Sequence, residues 1–296
     1  MDRPVQIGPL NFDWGSRTYV MGILNITPDS FSGDGLWDPS ALGLTERVVD
    51  QAQRFIEAGA DILDVGGEST RPGALPVSRD EEMHRVLPVI QALKARFNIP
   101  LSVDTYRADV ADAALKAGAH MVNDVWALRA DPEMAQVITR HQVPVVLMHN
   151  RSSWATAEVR ERLGGHYLEA PYVDLLADVK RELLESTTIA HEAGIPDKCI
   201  ILDPGIGFGK TVQQNLELLR RLDEIHDLGY PVLLGASRKS FIGYTLNLPP
   251  DQRLEGTAAA VSIGIARGAD IVRVHDVPFM VRLARMTDAI VRQINS

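Results

Sequence analysis

Three stretches share one pattern: EAGADILDV (57–65), KAGAHMVND (116–124) and RGADIVRV (267–274). Each closes a helical run at a glycine and passes at once into a short apolar run. Glycine suits a helix stop because it takes the left-handed conformation without a Cβ clash. The apolar run that follows is continuous rather than alternating, as in a parallel strand buried on both faces. Three copies of one helix-to-strand junction argue for a repeated strand–helix unit.

Working outward from these junctions, the strand candidates are 19–24, 62–65, 101–104, 121–124, 143–148, 200–203, 231–235 and 271–274. The segments between them have helical character. In 45–60, Val48, Val49, Ala52, Phe55 and Ile56 fall along one side. Segment 79–97 begins acidic and ends basic, which suits the helix dipole. Eight such units with no linker between them predict one α/β domain over 1–296, a single TIM-type (β/α)8 barrel. An open, doubly wound sheet would need fewer strands. Two pieces stand outside the repeat: a lead-in over 1–18, and a charged segment over about 150–174. The latter reads as an irregular loop or an inserted helix over the barrel mouth.

The chain has 296 residues and a formal charge of −9, which argues against a nucleic-acid partner. The one cysteine, Cys199, rules out an intramolecular disulfide framework and suits a reducing compartment. No apolar run approaches the roughly 20 residues that span a bilayer. The start, MDRPVQIGPLNFDWG, has no basic and apolar leader pattern. A cytoplasmic protein with no membrane partner is expected.

LDPGIGFGKT (202–211) resembles a phosphate loop at first sight. The spacing excludes it. Gly205 and the Gly209-Lys210 pair are separated by three residues where a P-loop needs four, and G-x-G-x-G is not G-x-G-x-x-G. What remains is an apolar strand whose last side chain is an acid.

Catalytic groups of such barrels lie at the C-terminal ends of the strands. Those ends carry Asn25, Asp64 with Glu68, Asp104, Asn123 with Asp124, His149, Asp203, Ser237 to Lys239, and Arg273 with His275. Asp104 could cap the helix that begins near Arg107. Capping does not account for the cations, which oppose a helix N-terminus. Asp104, Asn123 and Asp203 can read the edge of a flat heterocycle bearing an amino group and a ring N–H. Arg71, Lys239, Arg273 and His275 suit phosphate. Asn25 offers a neutral oxygen to Mg²⁺ whose other ligands are phosphate oxygens and water. A heterocyclic diphosphate ester would satisfy all three sets. Glu81 and His84 have E-x-x-H spacing but no second copy, so they read as a solvated helix face.

The blocks MGILNITPDSFSGDG (21–35), DVGGESTRPGA (64–74), SVDT (102–105), VND (122–124), LDPGIGFGK (202–210), GASRKSFIG (235–243) and RVHDV (273–277) resemble, in order, the signature blocks of dihydropteroate synthase. The resemblance implies a TIM-type barrel that condenses 6-hydroxymethyl-7,8-dihydropterin diphosphate with 4-aminobenzoate, in folate biosynthesis. It implies that Asp104, Asn123, Met148, Asp203, Lys239 and Arg273 hold the pterin. It places 4-aminobenzoate among Phe31, Thr70, Arg71, Pro72, Phe208 and Ser237. Asn25 would bind Mg²⁺, and Asn25, Arg273 and His275 the diphosphate; with Arg71 these form the expected catalytic set. A homodimer is implied, with the C-terminal helices as contacts. Two alternatives share part of the pattern: a pterin-dependent methyltransferase domain, and a paralogue that binds pterin without turnover. The chain departs from the family pattern at Gly33-Asp34-Gly35 and at Asn150-Arg151.

Overall fold

The computed structural model describes residues 4–26, 41–69, 76–153, 156–160, 162–169 and 171–292. In chain order the elements are β1 (Val5–Ile7), β2 (Leu10–Phe12), β3 (Tyr19–Asn25), α1 (Ala41–Ala58), β4 (Ile62–Gly66), α2 (Arg79–Arg96), β5 (Leu101–Asp104), α3 (Ala108–Ala117), β6 (Met121–Asp124), α4 (Met134–His141) and β7 (Val145–Met148). There follow β8 (Ala157–Arg160), β9 (Gly164–Tyr167), α5 (Leu175–Glu192), β10 (Ile200–Asp203), α6 (Val212–Arg220), α7 (Asp223–His226), β11 (Leu233–Leu234), α8 (Ser240–Leu246), α9 (Leu254–Ala266), β12 (Ile271–Val274) and α10 (Val277–Val291).

All eight expected strands join one parallel sheet in the order β10-β7-β6-β5-β4-β3-β12-β11. A parallel bridge between Leu202 and Val232 brings the two ends together, so the sheet closes as a barrel. The three junctions behave alike. Gly59, Gly118 and Gly268 stop their helices at φ of 100°, 123° and 95°. Two residues later, Asp61, His120 and Asp270 each accept a backbone N–H at the start of the strand alongside, from Val20 (2.8 Å), Leu101 (3.0 Å) and Val232 (3.0 Å). The repeated motif therefore both ends a helix and satisfies the edge of its neighbour strand, which would otherwise bury an unpaired donor.

The core has two parts. The larger lies between the sheet and the helices. The smaller fills the barrel with Met21, Ile62, Met121, Val146, Ile201, Leu233 and Ile271. The lead-in closes this inner core: β1 and β2 pair as an antiparallel hairpin and bury Ile7 and Phe12 completely. Phe12 stacks on Tyr19 with ring centroids 4.6 Å apart. Strand side chains alternate between faces, so the inward residue two places beyond each plug residue lies nearer the C-terminal mouth. Ile62 is followed by Asp64, Met121 by Asn123, Ile201 by Asp203 and Ile271 by Arg273. The sealed end is apolar and the mouth is polar.

Two expectations need correction. The segment over about 150–174 is neither a helix nor wholly irregular; it carries the antiparallel hairpin β8–β9, with Ala157 opposite Tyr167. The hairpin lies against α8, where Tyr244 Oη donates to Gly164 O (3.1 Å) and its ring stacks on His166. Asp104 is not a helix cap. The start of α3 is satisfied by Asp131, whose Oδ2 accepts from Ala108 N at 2.9 Å, and Asp104 is engaged elsewhere.

Candidate active site

Arg273 on β12 is the centre of the mouth. Its Nε donates to Asp64 Oδ2 (2.6 Å) and its Nη2 to Asp104 Oδ2 (2.5 Å). Asn123 on β6 donates to the same Asp64 oxygen (3.3 Å). One cation thus joins strands β12, β4 and β5, with β6 attached through the amide. Burial works against charge on Arg273, yet the carboxylates of Asp64 and Asp104 outweigh it and hold its pKa above the ordinary value. Burial pushes the Asp104 carboxyl up to about 7; Arg273 opposes that rise and Asp64 adds to it. Asp203 on β10 is also raised by burial, against the pull of Lys239, a Gly205 N–H and Arg273. Arg273 and Asp203 therefore act on each other across one end of the barrel.

The loop after β10 is set by its glycines. Gly205, Gly207 and Gly209 all have positive φ. A Cβ at Gly205 would lie 1.8 Å from His149 O, and one at Gly209 would lie 2.3 Å from the Arg151 carbonyl carbon. The glycines let this loop lie flat on the chain leaving β7. Asp203 accepts from Gly205 N at 2.7 Å, which turns the loop back over the mouth. Lys239 crosses above it. Its Nζ donates to Ile206 O and stands 4.3 Å from the centre of the Phe208 ring. Thr211 opens α6 with a capping box to Gln214, so the Lys-Thr pair of the apparent phosphate loop is a helix start.

Ser237 and His275 meet: Ser237 Oγ accepts from His275 N (3.2 Å) and lies 3.0 Å from its Nδ1. Met148 is buried beside Asp203, its register partner. Asn25 stands half-exposed at the end of β3, between β4 and β12. The structure therefore gathers Asn25, Asp104, Asn123, Met148, Asp203, Phe208, Ser237, Lys239, Arg273 and His275 at one barrel end. Phe31, Thr70, Arg71 and Pro72 lie outside the described residues, as does the departure at Gly33-Asp34-Gly35.

Sequence reasoning gave Asp64 no role, although it forms the deepest contact of Arg273. It also overlooked a buried chain below the loop. Lys210 Nζ bonds His149 Nδ1 (2.9 Å), whose Nε2 faces Glu182 on α5 (3.1 Å). The departure Asn150-Arg151 has a structural use here. Arg151 pairs with Glu182, and Asn150 Nδ2 donates to Val125 O at 2.9 Å. Glu81 is exposed and pairs with Arg85 on its own helix, as a solvated face would.

Among the described residues there is no cluster of three or more His, Cys, Asp or Glu placed to hold a metal. A lone amide oxygen such as Asn25 suits a hard cation that arrives with its phosphate rather than one caged by protein.

The family profile described as "Pterin binding enzyme" matches residues 21–275. Dihydropteroate synthase from Bacillus subtilis (strain 168) is 50% identical over 285 residues, covering 96% of this chain and 93% of the relative. The enzyme from Escherichia coli (strain K12) is 43% identical over 275 residues, 93% of this chain and 92% of the relative. The crystal structure of dihydropteroate synthase from Clostridium difficile in the presence of pteroic acid superposes with a TM-score of 0.86 at 49% identity, covering 95% of this chain and 100% of that one. The Xanthomonas albilineans enzyme with 4-aminobenzoic acid gives 0.85 at 41% identity, over 98% of both chains. Fold, strand-end chemistry and relatives agree along nearly the whole length, and the chain belongs to the pterin binding enzyme family, in its dihydropteroate synthase branch.

Proposed function

We propose how the strand-end cluster carries out dihydropteroate synthesis, the condensation of 6-hydroxymethyl-7,8-dihydropterin diphosphate with 4-aminobenzoate to 7,8-dihydropteroate and pyrophosphate. The observation that carries the reading is Arg273 held between Asp64 and Asp104, with Asn123 and Asp203 at the same mouth. Asp104 and Asp203 accept from the amino group and ring N–H of the pterin, while Asn123 supplies an amide to its edge. Met148 packs on the ring. Arg273 stacks on the opposite face, a planar cation being suited to a flat ring. Lys239 lets go of Ile206 to reach the pterin.

The aniline nitrogen of 4-aminobenzoate is uncharged at neutral pH and needs no strong base. The C–O bond to the diphosphate breaks ahead of attack, the aniline nitrogen then bonds the pterin methylene, and its proton passes to the released pyrophosphate or to water. Arg273 and His275 stabilise the charge that builds on the departing oxygen. Asp104 and Asp203 stabilise the positive charge on the pterin. Phe208 and Ser237 wall the aminobenzoate, along with Phe31, Thr70, Arg71 and Pro72, and Arg71 adds a cation. Asn25 would hold Mg²⁺, which would supply further neutralisation of the leaving pyrophosphate. Asn25→Ala is expected to raise the Mg²⁺ concentration needed for half-maximal rate; an unaltered metal titration removes Asn25 from the site. The direct test of the whole reading is pyrophosphate release from the pterin diphosphate with and without 4-aminobenzoate. Release dependent on both supports it, and release without the amine refutes it.

The enzyme works as a homodimer in the cytoplasm in this reading. The dimer is supported by an apolar surface on the C-terminal helices, Ile263 on α9 with Phe279, Met286 and Ile290 on α10. The free, buried Cys199 suits a reducing compartment.

A further inference from the structure

The Gly205–Lys210 loop is held through N–H groups, Gly205 N on Asp203 and Gly207 N on Asn215 Oδ1 (2.6 Å), and through most of its carbonyls. Tyr172 Oη donates to Gly209 O (3.0 Å) and Asn215 Nδ2 to Lys210 O (3.1 Å). Lys239 takes Ile206 O from above. The other two grips come from Lys210, whose buried Nζ donates to Gly205 O (2.9 Å) and Phe208 O (3.0 Å). Its third proton goes to His149 Nδ1, so all three donors of the ammonium are used. That contact leaves the ring proton of His149 on Nε2, where it faces Glu182. Glu182 is held ionised: burial alone would raise its pKa, but the bonds from His149 and Arg151 carry it well below the usual carboxylate range. Burial works against charge on Lys210, which is 2% exposed, and lowers its pKa; Asp203 first, and then Glu182 through the His149 link, oppose that fall and favour the ammonium form. An unpaired buried cation would be expensive. His149 also joins the strands directly, its N–H donating to Asp203 O at 2.9 Å.

We infer that Lys210 is a positioning residue for the second substrate: fixed through His149 and Glu182, it locks the backbone that carries Phe208 and so sets the wall against which 4-aminobenzoate lies. The two lysines divide the loop between them. Lys239 grips it from the substrate side and is released to the pterin, whereas Lys210 grips it from below and stays. When Lys239 leaves Ile206, Lys210 still holds Gly205 O and Phe208 O, the two carbonyls that flank the turn carrying the ring. The inference rests on the assignment of Phe208 to the aminobenzoate wall.

The test compares Lys210→Met, Glu182→Gln and Phe208→Ala in steady-state kinetics, pterin diphosphate binding and thermal unfolding. Lys210→Met is expected to raise KM for 4-aminobenzoate about tenfold or more, as a displaced wall should. Its affinity for the pterin diphosphate is expected to stay within about threefold, because Asp104, Asn123 and Arg273 sit on other strands. A folded Lys210→Met enzyme with an unchanged aminobenzoate KM, or with both substrates weakened equally, overturns the inference. If Lys210→Met does not fold, Glu182→Gln decides. It keeps the size and an acceptor for His149 but removes the charge, and the same selective rise in KM is expected, with an unchanged KM counting against the role. An unchanged KM in Phe208→Ala instead removes Phe208 from the wall, a distinct failure of the underlying assignment.

Discussion

Asp104 lies between two fates. Buried, it would rather be protonated; beside Arg273, it would rather be charged, and the balance leaves its pKa near about 7. The ring N–H and amino groups of a pterin need the carboxylate form, since a protonated carboxyl gives up part of its capacity to accept. The sign follows. Affinity for a pterin without the diphosphate tail is expected to fall as pH drops through about 7 and to level off above it. Titration calorimetry across pH checks this, and Asp104→Asn should bind more weakly with the pH dependence removed. A flat profile in the unmutated enzyme would place the ionisation elsewhere. At this scale much was legible. Asp104, Asn123, Asp203 and Arg273 are polar residues at the ends of apolar runs, each two places beyond a plug residue or at the last inward position, and that alternation is written in the sequence. Asp64 was visible at a strand end, but nothing in one dimension pairs it with a residue 209 positions away. Glu182 left a fainter sign. On α5 the buried positions include Leu175, Leu176, Val179, Leu183 and Ser186, and Glu182 falls on the same stripe. A carboxylate on an apolar face implies a buried partner.

The elements around the mouth are braced by a second buried cation. Arg253, 2% exposed, donates to Leu248 O, Arg238 O and Leu163 O at 2.9–3.0 Å. It ties the end of α8, the loop after β11 and the β8–β9 hairpin together. That loop includes Arg238 at φ 55°, a left-handed conformation that costs energy for a residue with a Cβ. Arg238 spends its own charge on Asp276 at the start of α10 rather than on a substrate. Arg253→Ala strands three carbonyls and is expected to cost roughly 3 kcal/mol or more of stability, read by urea unfolding. A loss under about 1 kcal/mol would show that water replaces the guanidinium without difficulty. The hairpin itself was not legible. AEVR and GGHY have no clear apolar alternation because the hairpin packs on one helix rather than in the core: the end of β8 is exposed, and only Gly165 and Tyr167 of β9 are buried. The eight barrel strands were legible because both their faces are covered, which forces continuous apolar runs.

Across the whole molecule, closure rests on its shortest strand. Leu233 and Leu234 alone make β11, and Val232 completes the ring by bridging Leu202. The expected run 231–235 is cut short at Gly235. A Cβ there would stand 3.7 Å from Asp203 Oδ2 and 4.0 Å from Lys239 Nζ, ordinary contact distances, so the strand ends directly beside two site residues. At the outer surface, Met286 and Ile290 on α10 are 63% and 71% exposed, which suits a surface covered by a second copy. In the proposed homodimer, Met286→Glu with Ile290→Glu is expected to give a monomer in light scattering while its thermal unfolding stays cooperative. Retention of a dimer would move the interface to another face.

The glycines of the loop after β10 bear on how this enzyme could escape an inhibitor. Gly205 and Gly209 cannot acquire a side chain without striking the backbone next to β7. Phe208 between them is only half-buried, and its ring can change with little disturbance to the chain beneath. A compound anchored on the ring leans on a feature that single mutations can replace. One anchored on the backbone of the same loop, where Gly207 is half-buried, leans on a shape that the chain leaving β7 forbids to vary.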